Sequence, residues 1–194
     1  MCQAESLAIV PGTIPIASIV ADSTQTTGLK WQAPASGGMT LLSTTTLSST
    51  TTTINISDTS YVDLYVICTG NTSASVRNDI ALRYNGVTTG YYWAVTSDSS
   101  TSVGRAQNVT AIDTGVGSSR NFNNTNGLLE FTIPNYAATG FHNIQFSTSY
   151  FTEDNLYRVA QGIGFNQDTG AIASISFVTG NAFTAGTVKV YGVK

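Results

Sequence analysis

The feature that most constrains this chain is a series of short runs in which apolar and polar residues alternate, each closed by glycine, asparagine or serine. In "YVDLYVIC" (61–68), Val62, Leu64, Val66 and Cys68 fall on one side, and Tyr61, Asp63, Tyr65 and Ile67 on the other. A period of two sends successive side chains to opposite faces of a β-strand, whereas a helix would scatter them around its circumference. Comparable runs lie at 39–47, 52–57, 79–85, 90–95, 127–133, 140–150, 156–166, 171–179 and 186–193. Ten short strands with no helical interlude predict an all-β protein, an antiparallel β-sandwich of jelly-roll-like form. The composition agrees, because 51 of the 194 residues are serine or threonine and only 10% are charged. Threonine favours the pleated backbone, and so little charge leaves enough apolar surface for a core. Val62, Leu64, Val66, Ile175, Phe177, Val188 and Val190 lie on the apolar faces of their runs and are expected to be buried. The segments "YNGVTTG", "NQDTG" and "FTAGT" carry residues that tolerate positive φ and are expected to be hairpin turns.

Two domains are expected. Residues 1–37 hold three of the four prolines and end in "QAPASGG", which reads as an extended N-terminal arm and linker. Residues 38–194 carry the sandwich. Ile14, Ile16, Leu29 and Trp31 sit in an arm too short and proline-rich to bury them by itself, so they mark an assembly surface.

Most chemistry is disfavoured. A net charge of −3 with eight Lys and Arg argues against nucleic acid as a partner, which needs clustered cations. No apolar run approaches the ~20 residues of a spanning helix, so membrane insertion is not expected. The start of the chain lacks a basic region before its apolar residues, so no cleaved leader is expected. His142 is the only histidine, and Cys2 and Cys68 are far apart, too few ligands for a zinc site. Cys68 reads as a small buried hydrophobe. "GIGFN" (162–166) lacks the third glycine of a nucleotide loop and reads as a strand with small residues. The carboxylates are sparse, and Glu153 and Asp154 adjoin in a turn, not at the fixed separation of a glycosidase pair. The expectation is a non-enzymatic protein with no catalytic residue, cofactor or metal.

Residues 96–126 interrupt the strand rhythm with a long polar stretch that carries at most one short expected strand, near "QNVTAI". Functional contacts favour loops on a rigid scaffold. Arg105, Arg120, Asn121, Phe122 and Asn123 are therefore the candidate ligand-binding residues: a flat ring for an apolar sugar face, amides that donate and accept, and guanidinium groups for hydroxyls or carboxylates. In "YYW" (91–93) alternation sends Tyr92 to the face opposite Tyr91 and Trp93.

Two stretches resemble a known group. "ADSTQTTGLKWQAPASGGMTLLSTTTL" (21–47) resembles the junction in tailed-bacteriophage tail-fibre and other virion surface proteins, where such a stretch leads through a small-residue linker into a first β-strand. "GNAFTAGTVKVYGVK" (180–194) is similar to the closing hairpin of the same β-domains. The resemblance implies a virion component, homotrimeric, displayed on the particle exterior and held to other virion proteins through its N-terminal arm. A tail-fibre-like protein that contacts a host-surface glycan is the first expectation. A capsid decoration or head-fibre protein anchored by the arm is the alternative, since only 20 residues precede the junction.

Overall fold

The computed structural model describes residues 18–21, 24, 29–32, 38–73, 80–98, 103–115, 127–151 and 157–194. The chain divides into two units, Met1–Gly38 and Met39–Lys194. In the first, β1 (Ser18–Ala21) and β2 (Leu29–Gln32) pair antiparallel, Ile19 opposite Trp31 and Ala21 opposite Leu29. Within the expected arm, the described residues form this short antiparallel ladder. The β-branched and aromatic residues at 19, 20 and 31 lie clear of the prolines and suit a ladder.

The second unit is all-β and antiparallel, with no helix among the described residues. Its strands are β3 (Met39–Thr46), β4 (Ser49–Asn55), β5 (Asp63–Ser73), β6 (Ala81–Tyr84), β7 (Tyr91–Ser97), β8 (Gly104–Val109), β9 (Ile112–Asp113), β10 (Leu128–Ile133), β11 (His142–Phe151), β12 (Tyr157–Asn166) and β13 (Ser174–Val193). The last strand organises the rest. Its first part, Ser174–Val178, pairs with β4 on one side and β6 on the other, and β6 adds β9. Its second part, Thr187–Val193, pairs with β3 and β5, and β5 leads through β10, β11, β12 and β7 to β8. Register shifts between Val178 and Thr187 bend the strand, so that one continuous segment passes from a smaller layer into a larger one. The result is a sandwich whose layers join through β13 into a nearly closed barrel. The runs at 171–179 and 186–193, expected as two strands, are the two arms of this bent strand.

The core lies between the layers. Leu64, Val66, Cys68, Leu129, Phe131, Ile133, Val188 and Val190 come from the larger layer, and Ile54, Leu82, Ile175 and Phe177 from the smaller, all buried. The rings of Phe131 and Phe177 meet across the interface with centroids 6.1 Å apart. Burial pushes the Cys68 thiol up to about 12, as for a small core hydrophobe.

Val62, expected in the core, is 53% exposed. The ladder ends at Asp63, paired with Val193, and residues 61 and 62 form a bend. The bend exchanges their faces: the Tyr61 ring lies over Gly192, where a Cβ would come within 2.3 Å of it. The three expected hairpin turns serve other purposes. Asn85 and Gly86, both at positive φ, begin the passage from β6 in the smaller layer to β7 in the larger. Residues 167–173 carry β12 back to the smaller layer, and Gly186 sits in the bend of β13. Residues that turn a hairpin also turn a sandwich corner, because both need the same left-handed backbone. The Asn85 side chain locks one corner, accepting from the N–H groups of Ala173 and Ser174 and donating to the Ala171 carbonyl.

Candidate functional site

Alternation along β12 builds the site. Gly162 and Gly164 face the core, and Ile163 and Phe165 face outward. The usual expectation would bury the large residues of "QGIGFN" and expose the small ones. Here the core side is already filled: a Cβ on Gly162 would meet the Phe146 ring at 2.2 Å and the Ala94 carbonyl at 2.6 Å, and one on Gly164 would meet Ile112 at 2.6 Å. Only glycine lets β12 approach these groups, which leaves Ile163 57% exposed on the outer face.

The neighbouring strands extend this outer face in register. Asn143, Phe165 and Tyr92 form one row across β11, β12 and β7. Gln145, Ile163, Ala94 and Arg105 form the next, reaching edge strand β8. Tyr92 and Phe165 stack face to face, centroids 4.8 Å apart and planes 4° apart. Phe141, 60% exposed, adds a third ring 6.4 Å from Phe165. The residues of the two rows line a cleft of about 630 Å³ together with Gln107 and Pro134.

A second hollow of about 440 Å³ adjoins the first and shares Gln145 and Ile163 with it. Tyr65, Glu130, Thr132, Ser147 and Gln161 are among its other lining residues. Tyr65 donates a 2.6 Å hydrogen bond to Glu130 Oε2. This bond, helped by burial and the carboxylate charge, pushes the Tyr65 phenol up to about 12. The two hollows make one groove that runs across the strands from Arg105 to Tyr65.

The groove offers two kinds of contact. The ring pair and Ile163 present flat apolar surface. The side chains of Gln107, Asn143, Gln145, Gln161 and Arg105 form no hydrogen bond or ion pair in the described structure and are exposed along it. The backbone groups beneath are spent in the ladders, since β7, β12, β11 and β10 are each paired on both sides.

Of the expected ligand-binding residues, Arg105 lies in this groove. It stands on strand β8, not on a loop, because the stretch at 96–126 contains the end of β7 and all of β8 and β9. Arg120, Asn121, Phe122 and Asn123 lie outside the described residues, as do Ile14 and Ile16 and the side chains of Leu29 and Trp31. Tyr92 faces outward, opposite the buried Tyr91 as alternation separates them. Phe165, Phe141, Asn143, Gln145 and Glu130 were not singled out in the sequence. The signal available for Phe165 was the glycine parity of "QGIGFN", which forces a choice between two faces.

His142 is buried at the start of β11, and its Nε2 donates to the Gly170 carbonyl at 2.9 Å, a satisfied core histidine. Among the described residues, no three metal-ligating side chains cluster, and no helix is long and apolar enough to cross a membrane. No protein-family profile matches this chain, and no curated protein or solved structure matches it.

Proposed function

We propose that this chain is a non-enzymatic virion surface protein of a tailed bacteriophage, tail-fibre-like, whose β-domain attaches the particle to a host-surface saccharide. The observation that carries the attachment role is the outward groove, where the stacked Tyr92 and Phe165 rings lie beside unpaired amides. A pyranose has an apolar face bordered by hydroxyl groups. Rings cover the face and amides both donate to and accept from the hydroxyls. A peptide is the poorer occupant of the groove floor, because β7, β12, β11 and β10 have no free backbone groups with which to extend a ladder.

Binding, not cleavage, is the role supported. Among the described residues Glu130 is the one carboxylate lining the groove, and it is held by Tyr65. Glycosidic hydrolysis ordinarily uses a pair of carboxyl groups about 5–10 Å apart. The virion assignment, the trimer and anchoring through residues 1–37 rest on the resemblance of the junction and closing segments.

Replacing Tyr92 and Phe165 together by alanine tests the attachment role. Both rings stand on the outer face, so the melting temperature should change little while adsorption to host cells falls at least about tenfold, the equivalent of ~1.4 kcal/mol. Undiminished adsorption would contradict it. Antibody labelling of intact particles separates the tail-fibre location from the capsid-decoration alternative. Deleting residues 1–37 should abolish incorporation while leaving a folded β-domain.

A further inference from the structure

The groove is long, and its ends differ in charge. From β8 to β5 it crosses five inter-strand gaps, a span of about 24 Å at the usual spacing of ~4.8 Å. One end carries the exposed, unpaired guanidinium of Arg105 beside the stacked rings. The other carries the Glu130 carboxylate, whose Oε2 is turned toward the Tyr65 hydroxyl. Among the described residues these are the only charged side chains lining the groove. Between them lie the uncharged Gln145 and Ile163, common to both hollows.

From this arrangement we infer that the groove takes an extended acidic saccharide, lying across the strands in one direction, with a sugar carboxylate at Arg105 and uncharged, hydroxyl-bearing rings toward Glu130. The inference rests on the attachment role proposed above. Three features fix it. A guanidinium without an internal partner is free to bond a carboxylate bidentately. A single ring cannot reach from the Tyr92 and Phe165 stack to Tyr65, so successive rings must fill the shared centre. A carboxylate placed at the Glu130 end would meet a like charge, the cation of that row, Lys189, standing one strand beyond Ile67 on β13, whereas at Arg105 it meets a guanidinium directly, which disfavours the reversed orientation.

The test uses the full-length protein and an array of uronic-acid-containing and nonulosonic-acid-containing oligosaccharides, each paired with its carboxyl-reduced neutral counterpart. The wild-type protein should bind an acidic member about tenfold or more tightly than its reduced partner, the scale of one charge-assisted hydrogen bond. Tetrasaccharides should exceed the corresponding disaccharides. Arg105→Gln should erase the acid preference while leaving the neutral affinity in place, its unchanged melting temperature showing that the fold is intact. Glu130→Gln should improve binding of chains acidic at every ring and leave singly acidic chains unaffected. Binding of acidic and reduced members with equal affinity, or an acid preference that survives Arg105→Gln, would overturn the inference while leaving the groove a neutral-saccharide site. Binding of no member of the array would overturn both the inference and the attachment role on which it rests.

Discussion

The outer faces of the two layers are made from the same antiparallel ladders, yet they end in different surfaces. On the smaller layer, Thr53 and Ser176 bond each other at 2.9 Å, Arg83 donates to the Thr110 carbonyl, and Asp113 accepts from the Gly115 N–H. These polar groups are matched among themselves, Thr51 and Asn55 stand exposed beside them, and among the described residues the face carries no exposed ring. On the larger layer, Tyr92, Phe165 and Phe141 cluster beside amides and a guanidinium that have no internal partner. A face of exposed hydroxyls and amides without apolar surface gains little by exchanging water for a ligand. One with free donors over apolar surface gains more. The difference between the two faces thus lies in the ring surface that the larger layer sets beside its free polar groups, not in backbone architecture.

The comparison can be broken at several levels. The largest effect belongs to the core that both faces share. Leu64→Ala should cost about 2–5 kcal/mol by chemical denaturation, because a fully buried leucine leaves a cavity. Saccharide binding by the remaining folded fraction should be unchanged.

Gly162→Ala acts on one layer only. Its Cβ would press on the Phe146 ring and on the backbone of β7, the strand that carries Tyr92 and Ala94. It should cost about 1–3 kcal/mol and also weaken groove binding, while amide exchange across β4 and β6 stays as in the wild type apart from the global loss.

Smaller still is the effect of Thr53→Val on the opposite face. Losing the bond to Ser176 should cost about 1 kcal/mol in thermal denaturation and leave host adsorption untouched. A drop in adsorption would place ligand contact on the wrong layer for this account.

The mildest perturbation is titration of Tyr65. Its folded phenol ionises near 12 against an ordinary value of 10.0, so the fold favours the protonated form. The contribution of the Tyr65–Glu130 bond is therefore fully present below pH 10 and is lost as the pH rises through about 12. Ring-labelled tyrosine NMR should find this resonance titrating late. Glu130→Gln should bring it back toward the ordinary value, since the largest cause of the shift is the bond to that carboxylate.

Much of the architecture was legible as alternation. Leu64, Val66, Ile175, Phe177, Val188 and Val190 are all buried as their period-two patterns require. Val62 departs because alternation holds only while the strand continues, and a bend one residue before β5 exchanges the two faces. The corners were misread as hairpins because Asn85, Gly86 and Gly186 are chosen for backbone conformation, and that conformation does not say which strands it joins. The groove was less legible. Arg105 was in view, and alternation set Tyr92 apart from Tyr91, whereas Phe165, Asn143 and Gln145 lie about 50 to 70 residues from Tyr92 in sequence and are brought beside it only by the order β10–β11–β12–β7. The deciding fact at β12, that Phe146 and Ile112 occupy the space behind its glycines, depends on three-dimensional packing and leaves no local mark.

The most direct measurement is backbone amide NMR of the β-domain, residues 38–194, during titration with saccharide released from host-cell surfaces. The account predicts shift changes along Tyr92–Ala94, Gly104–Gln107, Asn143–Gln145 and Ile163–Phe165, continuing toward Glu130, with β4 and β6 silent. Changes centred on Thr51–Asn55 and Arg83, or no change at saturating saccharide, would contradict it.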